Sequence, residues 1–196
     1  MNKSITKEEI ASLPLIAFDG KISIPITDDE ISEAVEYLRC FSVVGFDTET
    51  RPCFKKGRRN KVALLQLSAG DKAFLFRINK IGLPSSVREL LADGSILKVG
   101  AAIHDDIKAL QAISNYEPCG FVDVQTIAKE LGIENLGLKP LSALLLGFRI
   151  SKAQQTSNWE IQFLSEAQQL YAATDAWISL KIYTKLIELK KRQHYC

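Results

Sequence analysis

Val43-Val44-Gly45-Phe46-Asp47-Thr48-Glu49 is the stretch on which the fold turns, an apolar, β-branched run that ends in two acids two positions apart. Successive side chains of a strand point to opposite faces, so within a strand Asp47 and Glu49 share one face. Two carboxylates side by side on a core-facing strand repel each other and are costly to desolvate, which calls for a cation nearby. The alternative reading is that the strand has ended by Asp47 and both acids are solvated in a turn.

Outward from this run the elements follow in order. Upstream, Thr27 precedes DDEISEAVEYLR, with an acidic first turn and Ile31, Ala34, Val35 and Leu38 at helical spacing, which predicts a capped amphipathic helix. Downstream, SVVGFDTET (42–50), KVALLQLS (61–68) and KAFLFR (72–77) read as three successive strands. Helical and strand-like segments then alternate: SSVRELLAD (85–93), ILKVG (96–100), DDIKALQAI (105–113), FVDV (121–124) and QTIAKELG (125–132). That alternation predicts an α/β sheet covered by helices. A short helix over LKPLSALLLG (138–147) and a long one over 165–191 complete the chain, the latter opened by a capping box of Ser165 and Gln168. The expected organisation is a lead segment, 1–26, and a single domain, 27–196.

The composition of the 196 residues is that of an ordinary water-facing globular chain: 46% hydrophobic, 24% charged, mean hydropathy +0.01. No apolar run approaches the roughly 20 residues of a membrane-spanning helix, and the charged start lacks the apolar core of a secretion signal. A cytoplasmic location without membrane contact is the expectation. Cys40, Cys53, Cys119 and Cys196 are scattered, with no CxxC and only His104 and His194 as histidines, a pattern that does not make a structural zinc site. The net charge of +2 is too small to identify a nucleic-acid binder by itself.

Two further groups of acids need explaining. In Lys98-Val99-Gly100-Ala101-Ala102-Ile103-His104-Asp105-Asp106 a strand passes through small residues into a helix that begins with two acids. Acids there commonly cap the helix and offset its dipole, and the local sequence does not decide which of Asp105 and Asp106 faces a site. In Tyr171-Ala172-Ala173-Thr174-Asp175, Tyr171 and Asp175 lie one helical turn apart on a stripe that Ile178 and Ile182 continue, so Asp175 is expected on the buried side. A buried acid beside a phenol suits a metal site better than it suits stability.

Taken together, FDTET, KVGAAIHDDIKAL and YAATD, in this order and at these separations, resemble the three motifs of the DEDD 3′–5′ exonucleases, in the tyrosine subtype typified by ribonuclease D and the Werner-syndrome exonuclease domain. The resemblance covers about Ser42 to Leu189. It matches Asp47 and Glu49 to the first motif's DxE, Asp106 to the second motif's acid, with Asp105 as the alternative, and Tyr171 with Asp175 to the third motif's YxxxD. The histidine subtype has His five residues before the last acid, where this chain has Leu170. LGLKPLSALLLGFRISKAQQTSNWE looks like the family's segment before the third motif, and Asp123 like a supporting acid outside the quartet. Ribonuclease D carries helical nucleic-acid-binding domains after the third motif, whereas this sequence ends soon after it, which leaves substrate preference open.

The resemblance implies a ribonuclease-H-like fold, a central mixed sheet with helices on both sides, and release of 5′-mononucleotides from DNA or RNA 3′ ends. It implies two divalent ions, Mg²⁺ or Mn²⁺, held by Asp47, Glu49, Asp106 and Asp175, with Asp47 bridging both and Tyr171 orienting the water. Protein partners are not specified, and a monomer is the default. The segment 51–61 brings six cations next to the first motif, and Lys55, Lys56, Arg58 and Arg59 are candidate phosphate contacts, with a solvated hairpin loop as the plainer reading. Phe54 is a candidate base-stacking residue; Trp159 and Trp177 are expected in the core, and His104 has no assigned role. Two rival functions are a catalytically silent nucleic-acid-binding module and a haloacid-dehalogenase-type phosphatase, the latter demoted by Glu49 and by the lack of a later Gly-Asp-x-x-x-Asp.

Overall fold

The structure, a computed structural model, describes residues 3–53 and 60–194. Its elements are α1 (Lys7–Ser12), β1 (Lys21–Ser23), α2 (Asp28–Arg39), β2 (Val43–Thr50), β3 (Val62–Ala69), β4 (Lys72–Phe76), α3 (Ile78–Ile81), α4 (Ser85–Ala92), β5 (Leu97–Gly100), α5 (His104–Gln111), β6 (Phe121–Asp123), α6 (Val124–Glu130), α7 (Leu138–Leu146) and α8 (Glu166–His194). The strands form one six-stranded sheet in the order β1-β4-β3-β2-β5-β6. β2 and β4 run antiparallel to β3, while β1 pairs with β4, β5 with β2, and β6 with β5 in parallel. This is the helix-covered α/β sheet that the alternating pattern predicted, and the mixed sheet with helices on both faces that the resemblance implied.

The acid-bearing strand continues through both acids to Thr50, so Asp47 and Glu49 are strand residues and not turn residues. Its alternation divides the molecule. Val44 and Phe46 enter the core shared with α2 and α4, where Ile31, Leu38, Val87 and Leu90 meet Leu65, Leu67 and Phe76. The opposite face, with Asp47 and Glu49, is turned to α8. There Leu64 and Leu75 pack with Trp159, Tyr171 and Ala172, and Ile178 and Ile182 pack with Val99, Val124 and Leu141. Every residue of β3 is buried, as a strand covered on both sides must be.

Local signals set the helix ends. Thr27 accepts a hydrogen bond from Glu30 N, and the Glu30 side chain returns to Thr27 N, closing a capping box on α2. Ser165 and Gln168 do the same at the start of α8, with Gln168 N donating to Ser165 Oγ at 3.2 Å and Ser165 N to Gln168 Oε1 at 3.1 Å. The α8 backbone lies directly on β2 at Gly45, where an added Cβ would sit 1.9 Å from the carbonyl oxygen of Ala176. The missing side chain is what brings helix and acid strand this close.

The residues before Thr27 also contribute. α1 and β1 lie there, Ile10 and Phe18 are buried, and Phe18 N donates to Thr174 Oγ1 at 3.1 Å. α1, β1 and α3 are short elements that the hydrophobic pattern did not announce. Among the described residues, no helix is long and apolar enough to cross a membrane.

Candidate active site

Three acids come together where β2 passes under α8. Asp47 and Glu49 project from the same face of β2, Asp175 projects from α8, and carboxylate oxygens of the three lie within 4.8 Å of one another. Tyr171, one turn before Asp175, turns its hydroxyl to the Asp175 carboxylate. All four line a cleft of about 370 Å³ together with Lys152 and Gln155.

The electrostatics follow from burial and crowding. Burial, then the charges of Asp175 and Asp106, hold the Asp47 carboxyl well above the usual range, although Thr48 N donates to its Oδ1 at 2.9 Å. Glu49 is pushed up to about 10 by burial and by the other three acids, Asp47 first. Asp175 is lifted to about 7 by burial, against the opposing pull of the Tyr171 hydroxyl and the Lys152 ammonium. Burial, with Asp175 and Glu49 beside it, keeps the Tyr171 phenol protonated far above its ordinary range. This donor set fits a divalent cation. It is made of hard carboxylate oxygens whose mutual repulsion the described protein cations leave largely uncompensated.

Asp106 reaches β2 from the other side. Thr48, between the two strand acids, faces away from α8, and its Oγ1 donates to Asp106 Oδ1 at 2.5 Å. Asp106 therefore stands outside the cluster of three, close enough for its charge to raise both Asp47 and Glu49. Asp105 is exposed and Asp106 half-buried. The turn that delivers α5 is braced by Asp123: its Oδ1 accepts from Gln125 N at 2.8 Å, capping α6, and from the backbone N of Ala102 at 3.1 Å. Ala102 is the one non-glycine residue with positive φ (57°) among the described residues. Asp123 thus links the start of α6 to the turn before α5.

Trp159 is fully buried and packs against Tyr171, with ring centroids 5.9 Å apart. The loop that carries it is anchored by Gln168 Nε2, which donates to Ser157 Oγ at 2.9 Å and to Asn158 O at 3.2 Å. Trp177 stacks with Phe148 at 6.1 Å, and His104 is exposed. Of the cationic segment, Arg51 forms an exposed ion pair with Glu160 at 3.5 Å. Phe54, Lys55, Lys56, Arg58 and Arg59 lie outside the described residues. Thr48, Lys152 and Gln155 were not singled out from the sequence. Lys152 and Gln155 stand in a quoted motif, but nothing in their spacing shows that their loop folds over the acids.

A 3′–5′ exonuclease family model matches residues 22–189. The mouse bifunctional 3′–5′ exonuclease/ATP-dependent helicase WRN is 35% identical over 196 residues, covering 95% of this chain and 14% of the relative. The Drosophila melanogaster exonuclease 3′–5′ domain-containing protein 2 is 33% identical over 180 residues, covering 90% of this chain and 30% of the relative. The chain therefore spans under a third of the length of either. The crystal structure of Escherichia coli RNase D, an exoribonuclease involved in structured RNA processing, superposes with a TM-score of 0.79 at 24% identity, over 89% of this chain and 46% of that one, and shares the ribonuclease-H-like fold.

Proposed function

This chain belongs to the 3′–5′ exonuclease family, and we propose that it hydrolyses phosphodiester bonds from the 3′ end of DNA or RNA, in the manner of the tyrosine subtype, releasing 5′-mononucleotides. The observation that carries this reading is the convergence of the Asp47, Glu49 and Asp175 carboxylates beside the Tyr171 hydroxyl. Residues 27–196 are proposed as one exonuclease domain, to whose sheet β1 of the preceding segment adds an edge strand.

In this reading Asp47, Glu49 and Asp175, with Asp106 as the fourth acid, would hold two divalent ions, Mg²⁺ or Mn²⁺. Such ions supply acidification of a water molecule and stabilisation of charge on the departing oxygen. The chain's own groups do the positioning. Tyr171, protonated at neutral pH, donates a hydrogen bond that orients the attacking water or the phosphate; it does not serve as a base. Lys152, at the mouth of the acids, offsets charge on the bound phosphodiester. The balance is simple: water's oxygen bonds to phosphorus, the bond to the 3′ oxygen breaks, and a proton ends on that oxygen. Lys55, Lys56, Arg58 and Arg59 are proposed to guide the strand through its phosphates, with a salt-dependent contribution.

The test follows 5′-labelled single-stranded DNA, single-stranded RNA and recessed-end duplex over time with Mg²⁺, Mn²⁺ or EDTA, for the parent protein and the Asp47→Ala and Asp175→Ala variants. A metal-dependent ladder shortening from the 3′ end, absent in both variants, is the expected result and identifies the preferred polymer. Binding of all three substrates without shortening in either metal would favour a silent binding module.

A further inference from the structure

The register of the sheet places Gln66 directly across from Asp47. Gln66 and Leu64, two apart on β3, share the face that Asp47 and Glu49 present on β2, and Leu64 is packed against Tyr171 and Ala172 under α8. Gln66 is 0% exposed, yet neither its Nε2 nor its Oε1 has a hydrogen-bond partner. Buried amides are almost always paired, because burial without a partner forfeits the hydrogen bonds they made with water. The position has no need of polarity for packing, since Leu64 flanks it along the strand and Leu75 faces it on β4. Of the described buried groups without a partner, Gln66 alone stands cross-strand from a site acid.

Directly opposed residues of an antiparallel pair have Cβ atoms about 4.5–5.5 Å apart, so a rotation about the Gln66 side-chain bonds carries its amide to the Asp47 carboxylate. We propose that Gln66 is a positioning residue of the metal-loaded site, its Nε2–H donating to an Asp47 carboxylate oxygen and fixing the plane of that carboxylate toward the ions. The inference rests on the reading of Asp47 as a metal ligand. Hydrogen bonds behind metal ligands orient them, and their loss typically weakens metal binding about 10–100-fold. The unpaired amide is then kept for metal binding at the expense of the metal-free fold.

The test titrates Mn²⁺ calorimetrically into metal-free protein without nucleic acid and records the metal-free melting temperature, for the parent, Gln66→Leu, Gln66→Met and Asp47→Asn. The two Gln66 variants are expected to raise the Kd for Mn²⁺ at least about tenfold while melting, metal-free, no lower than the parent. A purely structural Gln66 would lower the melting temperature and leave Mn²⁺ affinity alone. Parental Mn²⁺ affinity in either folded Gln66 variant, with affinity lost in Asp47→Asn, would overturn the proposal for Gln66 only. Parental affinity in Asp47→Asn would overturn the metal-ligand reading and this proposal with it. Failure of both Gln66 variants to fold would also overturn it, because the amide would then serve the fold.

Discussion

Thr48 Oγ1 donates a 2.5 Å hydrogen bond to Asp106 Oδ1, tying the acid of α5 to the strand that carries Asp47 and Glu49 on its opposite face. The contact joins the two sides of the sheet at the site. Residue 48 itself is buried and Asp106 half-buried, so the bond is partly sheltered from competing water.

Thr48→Val keeps the shape and removes the donor. The expected outcome is a fall in nuclease turnover of about tenfold, with little change in metal-free melting temperature, whereas Thr48→Ser restores most of the rate. Single-turnover kinetics on a labelled strand check it; an unchanged rate in Thr48→Val would remove Thr48 from the positioning of Asp106.

In the metal-free protein the acid cluster acts against folding. Unfolded carboxylates titrate near about 4, while Asp175 is lifted to about 7 and Glu49 to about 10 in the fold. Between these limits the folded state binds more protons than the unfolded one, so metal-free stability falls as pH rises from about 4 through 7 and beyond. Asp175→Asn is expected to raise the metal-free melting temperature at pH above 7 by roughly 2–4 °C, and to flatten the slope below it. Melting curves across this range in EDTA decide the matter, and added Mn²⁺ should stabilise the parent more than the variant.

Lys98 offers a second pH signature, of opposite sign and remote from the acids. Its ammonium is buried, donates to Asp93 O at 2.6 Å and Ile96 O at 2.7 Å, and is lowered by burial to about 8. The folded state then binds fewer protons than the unfolded one between about 8 and the ordinary lysine value of about 10.4. Its contribution penalises the fold below this window and is relieved as pH rises through it. Lys98→Met is expected to melt lower, having left the buried Ile96 carbonyl without its donor while Asp93 O keeps the hydrogen bond from Ile96 N, and to lose the rise that the parent shows relative to it.

At Gly45 the prediction is steric. A Cβ there would meet the Ala176 carbonyl oxygen at 1.9 Å, and backbone cannot give way as a flexible side chain does. Gly45→Ala should lift α8 from β2 and destabilise the protein by about 3 kcal/mol, a melting-temperature fall of roughly 6–12 °C. Because Asp175 rides on α8, Mn²⁺ affinity should drop in the fraction that remains folded; a variant with parental melting and affinity would contradict the tight packing.

The signals legible along the chain are local and periodic. The β-branched run before Asp47 and Glu49 announced a strand, and one face for both acids if the strand reached them, while Tyr171 and Asp175 announced one stripe of a helix, because side-chain direction follows from backbone period alone. The alternation of segments likewise announced the class of sheet. Which faces meet was settled by packing between distant elements. Cross-strand register set Gln66 opposite Asp47, the bare backbone of Gly45 let α8 descend onto β2, and the parallel pairing of β5 with β2 delivered Asp106 to Thr48. These contacts join residues far apart in the chain, and their geometry arises from packing between elements, which no local pattern of residues encodes.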